Sequence, residues 1–241
     1  MKSWRGRIGL LVPSINCTME PTFNEYLPDG IAVHTARMKR HTNVSDVDTN
    51  IRMLDNAVEA AKLVAQSEPD FILLGCTTAT FVQGKGKDLE IGVMLEEATG
   101  IKSSTTSTAV CNALRALGIK RFSFLAPHIG EILERAKIFF YGNGFEILTA
   151  RGMNISDSMG IPAVKPEEIY RFAKQNYHPD SEAIFLNSTN FRAMDIVKPL
   201  EQDLGIPVVT SNQASLWYVL RRMGFGQDIG VGELFKLKLP S

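Results

Sequence analysis

The sequence predicts an α/β fold of two similar lobes with parallel sheets, and three observations carry that prediction. Strand-like runs alternate with helical patterns along the chain, the arrangement that parallel sheets flanked by helices require. Two of those runs, FILL at 71–74 and AIFL at 183–186, are continuously apolar, as strands covered on both faces are. The third observation is a weak internal repeat. RIGLLVPS at 7–14 resembles RFSFLAPH at 121–128 in pattern, and the segment 71–78 matches 183–190. Gly100-Ile101, a strand and Thr106-Ser107 correspond to Gly205-Ile206, a strand and Thr210-Ser211. Three matches in the same order at nearly constant offset predict two lobes related by an approximate two-fold axis, facing each other across a cleft.

Taken in order, the first four strands are expected at 7–12, 32–37, 71–74 and 102–105, and the second four at 122–126, 146–149, 183–186 and 207–210. Four strands therefore fall to each lobe. The clearest amphipathic helix spans 49–66, with Ile51, Leu54, Val58, Ala61, Leu63 and Val64 on one face. Further helices are expected at 89–98, 108–117, 129–141, 166–175, 191–203 and 214–223. No linker rich in Pro, Gly or Ser marks a boundary. The expected division is 1–112 plus a returning 211–241 for the first lobe, and 113–210 for the second.

Composition narrows the function. With 241 residues and 44% hydrophobic content the chain buries a sizeable core. Lys+Arg and Asp+Glu number 26 each, which argues against nucleic acid as a partner and against an acidic disordered tail. The apolar core before Pro13 is too short for a signal peptide and no run is long enough to span a bilayer. The expected location is the cytoplasm, with no membrane partner. Cys17, Cys76 and Cys111 lack paired spacing, so neither a disulfide framework nor a zinc site is expected. His34 and His41 have no carboxylate at ligand spacing, and Gly84-Lys85-Gly86 is neither a P-loop nor a dinucleotide fingerprint. No metal and no nucleotide cofactor are expected. Trp217 and Tyr218 are candidates for packing or for contacts in a homo-oligomer.

The chemistry is expected at the strand ends, where open α/β sheets bind ligands. Cys76 follows the run at 71–74 and precedes Thr77 and Thr78; free backbone N–H groups at such a place favour thiolate. The plain alternative is a small buried apolar residue. The repeat places Ser188 opposite Cys76, so the two approach one bound molecule from opposite sides. That geometry suits proton exchange at carbon, or attack from one face with protonation from the other. Around them stand Ser14, Asn16, Thr77, Thr78, Thr106, Ser107, Thr189, Asn190, Thr210 and Ser211. Such hydroxyl and amide groups, with helix-start N–H groups, bind carboxylates without an arginine, and they also serve simply as helix caps. Cys17 and Cys111 read as structural thiols.

These residues carry a resemblance. RIGLLVPSINCTMEP, LLGCTTATF, TGIKSSTTSTAVCNALRALGIKR and the stretch running from STN through LGIPVVTSNQA resemble the aspartate/glutamate racemase superfamily, in particular its branch of maleate cis-trans isomerases and arylmalonate decarboxylases. The resemblance covers nearly the whole chain. It implies two Rossmann-like lobes and cofactor-independent chemistry on a small carboxylic or dicarboxylic acid in the cleft between them. It places the isomerases' first-lobe nucleophile on Cys76 and their carboxylate-binding asparagine on Asn16. Their second cysteine is replaced by Ser188, a tyrosine usual in the branch by His128, and an expected asparagine by Ser158. Decarboxylases of the branch carry glycine at the first position and cysteine at the second.

The expected reaction is therefore maleate-type cis-trans isomerisation by addition of Cys76. Racemisation or decarboxylation is the alternative reaction, and a binding protein or inactive homologue the alternative class. Serine is a poor acid-base partner unless activated, and His128 is the candidate activator because its ordinary pKa lies near neutrality; a capping or solvent-facing histidine is the plain reading. Ser188 itself has three readings: an engineered cysteine-to-serine change, native altered chemistry, which the His128 and Ser158 departures favour, or a degenerate site.

Overall fold

Each lobe is a four-stranded parallel sheet with the same strand order. In the computed structural model, which describes residues 3–240, the first lobe runs β1 (Gly6–Pro13), α1 (Met19–Tyr26), β2 (Ile31–Met38), α2 (Val47–Met53), α3 (Ala57–Ala65), β3 (Phe71–Leu74), α4 (Thr77–Phe81), α5 (Lys87–Thr99), β4 (Ser103–Thr105) and α6 (Thr106–Ala116). The second runs β5 (Arg121–Ala126), α7 (Gly130–Gly142), β6 (Glu146–Gly152), α8 (Pro166–Asn176), β7 (Ala183–Leu186), α9 (Val197–Leu204) and β8 (Val208–Thr210), after which α10 (Ser211–Arg222) follows. The sheets are ordered β2-β1-β3-β4 and β6-β5-β7-β8, so every strand has a counterpart four places later in the chain. All pairings are parallel. Consequently all strand C-termini within a sheet lie at one edge.

Burial explains the strand sequences. The residues of β3 and β7 are buried throughout, because helices cover both faces of each central strand, and their apolar runs need no polar alternation. The second lobe fills its core with phenylalanine: Phe122, Phe124, Phe140 and Phe185 meet edge-on or tilted, with centroids 5.1–6.3 Å apart. Phe81 of the first lobe joins Phe124 at 6.2 Å, so the aromatic core crosses the lobe boundary.

The counterpart helices α6 and α10 pack against each other, and Ser215 Oγ donates to Thr106 Oγ1 at 3.0 Å across them. Nearly all of α10 is buried. Trp217 is fully enclosed, with Nε1 donating to the carbonyl of Leu237 at 3.1 Å, and Tyr218 is buried too. Both are packing residues of the single chain rather than contacts for a second copy.

Two expected helices differ from the observed ones. The segment 49–66 is broken by a 3₁₀ turn at Leu54–Asn56. The buried positions include Asn50 and Met53 in α2 and Ala57, Ala61 and Val64 in α3, one residue round from most of the expected face, and Leu63 is 64% exposed. The segment 191–203 is helical only from Val197. The residues just before this segment, Thr189 and Asn190, are hydrogen-bonded to the other lobe, as described below. Two short helices lacked a legible pattern. Pro21 sits in the first turn of α1, where a missing N–H costs nothing, and α4 has only 5 residues. No helix of the described residues is long and apolar enough to cross a membrane.

Candidate active site

The C-terminal ends of the two sheets enclose one small cavity of about 40 Å³. Pro13, Ile15 and Asn16 line it from the segment after β1, Arg40, Ser45 and Asn50 from the segment after β2, and Cys76, Thr77 and Thr78 from the end of β3. The second lobe contributes His128, Ser158 and Ile161, with Ser188, Thr189 and Asn190 from the end of β7. Cys76 and Ser188 thus face a common space, as the repeat requires. A cavity of this size has room for a few waters, so its ligand is compact and closely wrapped.

Local structure sets each group. Cys76 is the residue at the N-terminal boundary of α4, in extended backbone conformation, and the first amides of that helix have no intrahelical acceptor. Gly75 must precede it: a Cβ there would lie 2.5 Å from Met19 Sδ and 3.1 Å from the Leu11 carbonyl oxygen. Burial pushes the Cys76 thiol above its ordinary pKa, opposed by the amides of Ala79 and Thr78 and by the Arg40 guanidinium. The thiol is therefore the resting form at neutral pH, and thiolate grows in alkaline solution.

Ser188 is built differently. Its φ of 134° lies where only glycine is at ease. Its amide donates to Ser211 Oγ at 3.0 Å, and its Oγ accepts from the Asn190 amide at 3.2 Å. Strain of this kind persists only where surrounding contacts enforce it. Here the enforcing contacts come from the other lobe: Thr189 Oγ1 donates to the Gly75 carbonyl at 3.1 Å, Asn16 Nδ2 donates to Thr189 Oγ1 at 3.1 Å, and Thr18 Oγ1 donates to the Asn190 carbonyl at 3.1 Å.

His128 does not pair with Ser188. Its Nδ1 lies 3.1 Å from Ser45 Oγ and its Nε2 3.1 Å from Thr78 Oγ1. One ring nitrogen donates and the other accepts, with the hydroxyls adapting. Burial, reinforced by the charge of Arg40, lowers the His128 pKa to about 4, so the ring is neutral at physiological pH. The suggestion that it activates Ser188 is replaced by a bridge between Ser45 and Thr78. Gly152 makes room for it, since a Cβ there would sit 2.1 Å from the His128 carbonyl oxygen.

The remaining expected residues divide. Asn16 reaches the cavity with much of its amide committed, Oδ1 accepting from the Thr18 and Met19 amides at 3.1 and 2.9 Å. Thr77 donates to Ser211 Oγ at 2.9 Å. Thr77, Thr78, Ser158, Thr189 and Asn190 all reach the cavity. Ser14 does not line it; it is exposed at the rim, where its Oγ accepts from the Arg40 amide at 3.1 Å. Among the structural thiols, Cys111 is buried in α6 while Cys17 is exposed. No cluster of metal-binding side chains occurs among the described residues.

Arg40, Ser45 and Asn50 are cavity residues that the sequence reading missed, and Arg40 runs against the expectation of a site without arginine. The signal was the strand-end rule applied to β2: Arg40 lies two residues beyond Met38. The segment carrying it meets the segment after β6, with Ser45 N donating to the Ser156 carbonyl at 2.8 Å and Ser158 N to the Asn43 carbonyl at 2.8 Å. A bridge between Val44 and Asp157 completes this contact over the cavity.

Comparison with known proteins follows the same outline. The arylmalonate decarboxylase family profile matches residues 8–235. The arylmalonate decarboxylase of Bordetella bronchiseptica is 28% identical over 187 residues, covering 76% of this chain and 78% of its own. The maleate isomerase of Nocardia farcinica is 25% identical over 242 residues, covering 95% of each. A solved cysteine-to-serine mutant of the Nocardia farcinica maleate cis-trans isomerase, with a covalently bound succinylcysteine intermediate, superposes with a TM-score of 0.90 at 23% identity, covering 96% of this chain and 98% of its own.

Proposed function

Since the chain belongs to the arylmalonate decarboxylase family, we propose that it is a cofactor-independent isomerase converting a small unsaturated dicarboxylate of the maleate type from cis to trans through Cys76. The observation that carries this reading is the pairing of Cys76 at the end of β3 with Ser188 at the end of β7 in one small cavity. The thiol stands where a nucleophile attacks, and the second position offers no thiol. The covalent succinylcysteine intermediate of the Nocardia farcinica isomerase mutant supports addition by cysteine as the chemistry of such a site.

The step balances without a cofactor. The Cys76 thiol first gives its proton to solvent, and the thiolate adds to one olefinic carbon, forming a carbon–sulfur bond, while the π electrons pass into the carboxylate on the neighbouring carbon as an enediolate. The former double bond is now single and rotates. Collapse of the enediolate then re-forms the double bond, expels the thiolate and yields the trans acid. Amides at the start of α4 and hydroxyls around the cavity stabilise the oxyanion charge. Ser188, with a hydroxyl of high pKa, holds the adduct's second face and transfers protons poorly.

Incubation with maleate and related acids, followed by proton NMR, tests the proposal. Fumarate forms with the wild type and not with Cys76→Ala. Wild-type activity in that variant would overturn the assignment of Cys76, and solvent deuterium entering an α-carbon without cis-trans conversion would make the enzyme a racemase. Carbon dioxide released from an arylmalonate would instead support decarboxylation.

A further inference from the structure

Among the described residues, Arg40 places the only formal positive charge on the cavity wall. None of the side chains lining the cavity is acidic, and no carboxylate lies within ion-pairing distance of Arg40 among the described residues. The nearby acid, Asp46, is occupied elsewhere, its Oδ1 accepting from the Thr49 amide at 2.7 Å at the start of α2. The guanidinium is half-buried, a costly state for a charge without an anion.

Its head is also held in place. Nε donates to the Thr42 carbonyl at 3.0 Å, Nη2 to the Val44 carbonyl at 2.7 Å and Nη1 to Asn50 Oδ1 at 3.4 Å. The Asn50 acceptor is fixed in turn, since its Nδ2 donates to the Asp46 carbonyl at 2.6 Å. All three acceptors are neutral. A guanidinium has five N–H donors, so one N–H on each Nη remains for a ligand, the pair that a carboxylate grips with two oxygens. The titratable groups facing it across the cavity, Cys76 and His128, are both held neutral by burial at physiological pH.

We propose that Arg40, braced by Asn50 and the carbonyls of Thr42 and Val44, forms an anion subsite that takes the second carboxylate of the substrate and makes the cavity select dicarboxylates over monocarboxylates. This inference rests on the reading of the site as one for a small carboxylic acid. It assigns the first-lobe segment after β2 a role in specificity.

Calorimetric binding of succinate and of butyrate, neither of which has a double bond for a thiol to attack, tests the subsite without turnover. The wild type binds succinate about 10- to 100-fold more tightly than butyrate, as expected for hydrogen bonds to a charged group. Arg40→Gln loses that difference by weakening succinate alone, and Arg40→Lys retains part of it because the charge remains while the two-pronged geometry is lost. The Arg40→Lys comparison decides the matter if Arg40→Gln does not fold, as its melting curve reveals. Equal succinate affinity in wild type and both variants, equal loss of both ligands, or no preference for succinate in the wild type would overturn the subsite. Loss of succinate preference in an enzyme that isomerises nothing would retain the subsite and refute the isomerase. Isomerisation of maleate with binding indifferent to Arg40 would do the reverse.

Discussion

The loops after β3 and β7 occupy equivalent places in two sheets of the same order, yet they are built on opposite terms. In the first lobe, Gly75 yields space and Cys76 stands in relaxed extended backbone at the start of a helix. In the second, Ser188 carries a φ of 134° and no helix begins until Val197; residues 189–190 are spent on hydrogen bonds to the first lobe. The duplicated fold supplies two strand ends facing one cavity, one carrying a thiol in relaxed backbone and the other a strained clasp. A repeat in sequence thus predicts where chemistry is placed, but not that both copies perform it.

The largest expected effect breaks this asymmetry at its reactive end. Cys76→Ala lowers kcat/KM for maleate by roughly 10³-fold or more, as loss of a nucleophile does, whereas Ser188→Ala changes it by less than about 10-fold because a hydroxyl contributes little acid-base catalysis. Steady-state rates across pH give both values and show the wild-type rate rising through the alkaline range as the buried thiol ionises. Equal losses in the two variants would make the lobes chemically equivalent. Next in size, Ser188→Cys supplies the second lobe with a competent proton donor and raises kcat by about 10²-fold. An unchanged kcat would mean that the second position takes no part in proton transfer.

The bridge that His128 makes between Ser45 and Thr78 predicts a pH effect on stability. Its folded pKa of about 4 lies below the ordinary 6.5, so the unfolded chain binds more protons between those values. This residue's contribution is complete above about pH 6.5 and is lost as pH falls toward 4, a change of about 3 kcal/mol. In His128→Asn, urea midpoints fall less steeply over that window than in the wild type; parallel pH profiles would show that the ring is not buried as described. Smallest is the strain itself. Ser188→Gly stabilises the protein by about 1 kcal/mol in thermal or urea unfolding, and Cys76→Gly brings no such gain because φ at Cys76 is −147°.

Strand ends were the most legible feature of the sequence. FILL and AIFL announce buried central strands, and the rule that ligands bind beyond strand C-termini, with the internal repeat, brings Cys76, Asn16 and Ser188 to one cleft; His128 enters through the family resemblance. Non-local contacts hid the rest. Nothing local marks the 3₁₀ turn at Leu54–Asn56, or the placing of Asn50 on the cavity wall. The apolar spacing of 191–203 predicts a helix, but the helix begins only at Val197, after residues 189–190, which are tied to Asn16, Cys17 and Thr18 more than 170 residues away in sequence. Nothing in MKRHTN distinguishes Arg40 from a surface cation; its placing depends on the Thr42 and Val44 carbonyls folding around it.

The central claim is that Cys76, and no other group, bonds to substrate carbon. Peptide-mapped mass spectrometry of enzyme quenched in acid during turnover of maleate tests it most directly. The account predicts one added maleate on the peptide carrying Cys76, and none on those carrying Cys17 or Cys111. Modification of either other cysteine, or maleate consumed with Cys76 unmodified throughout, would contradict it.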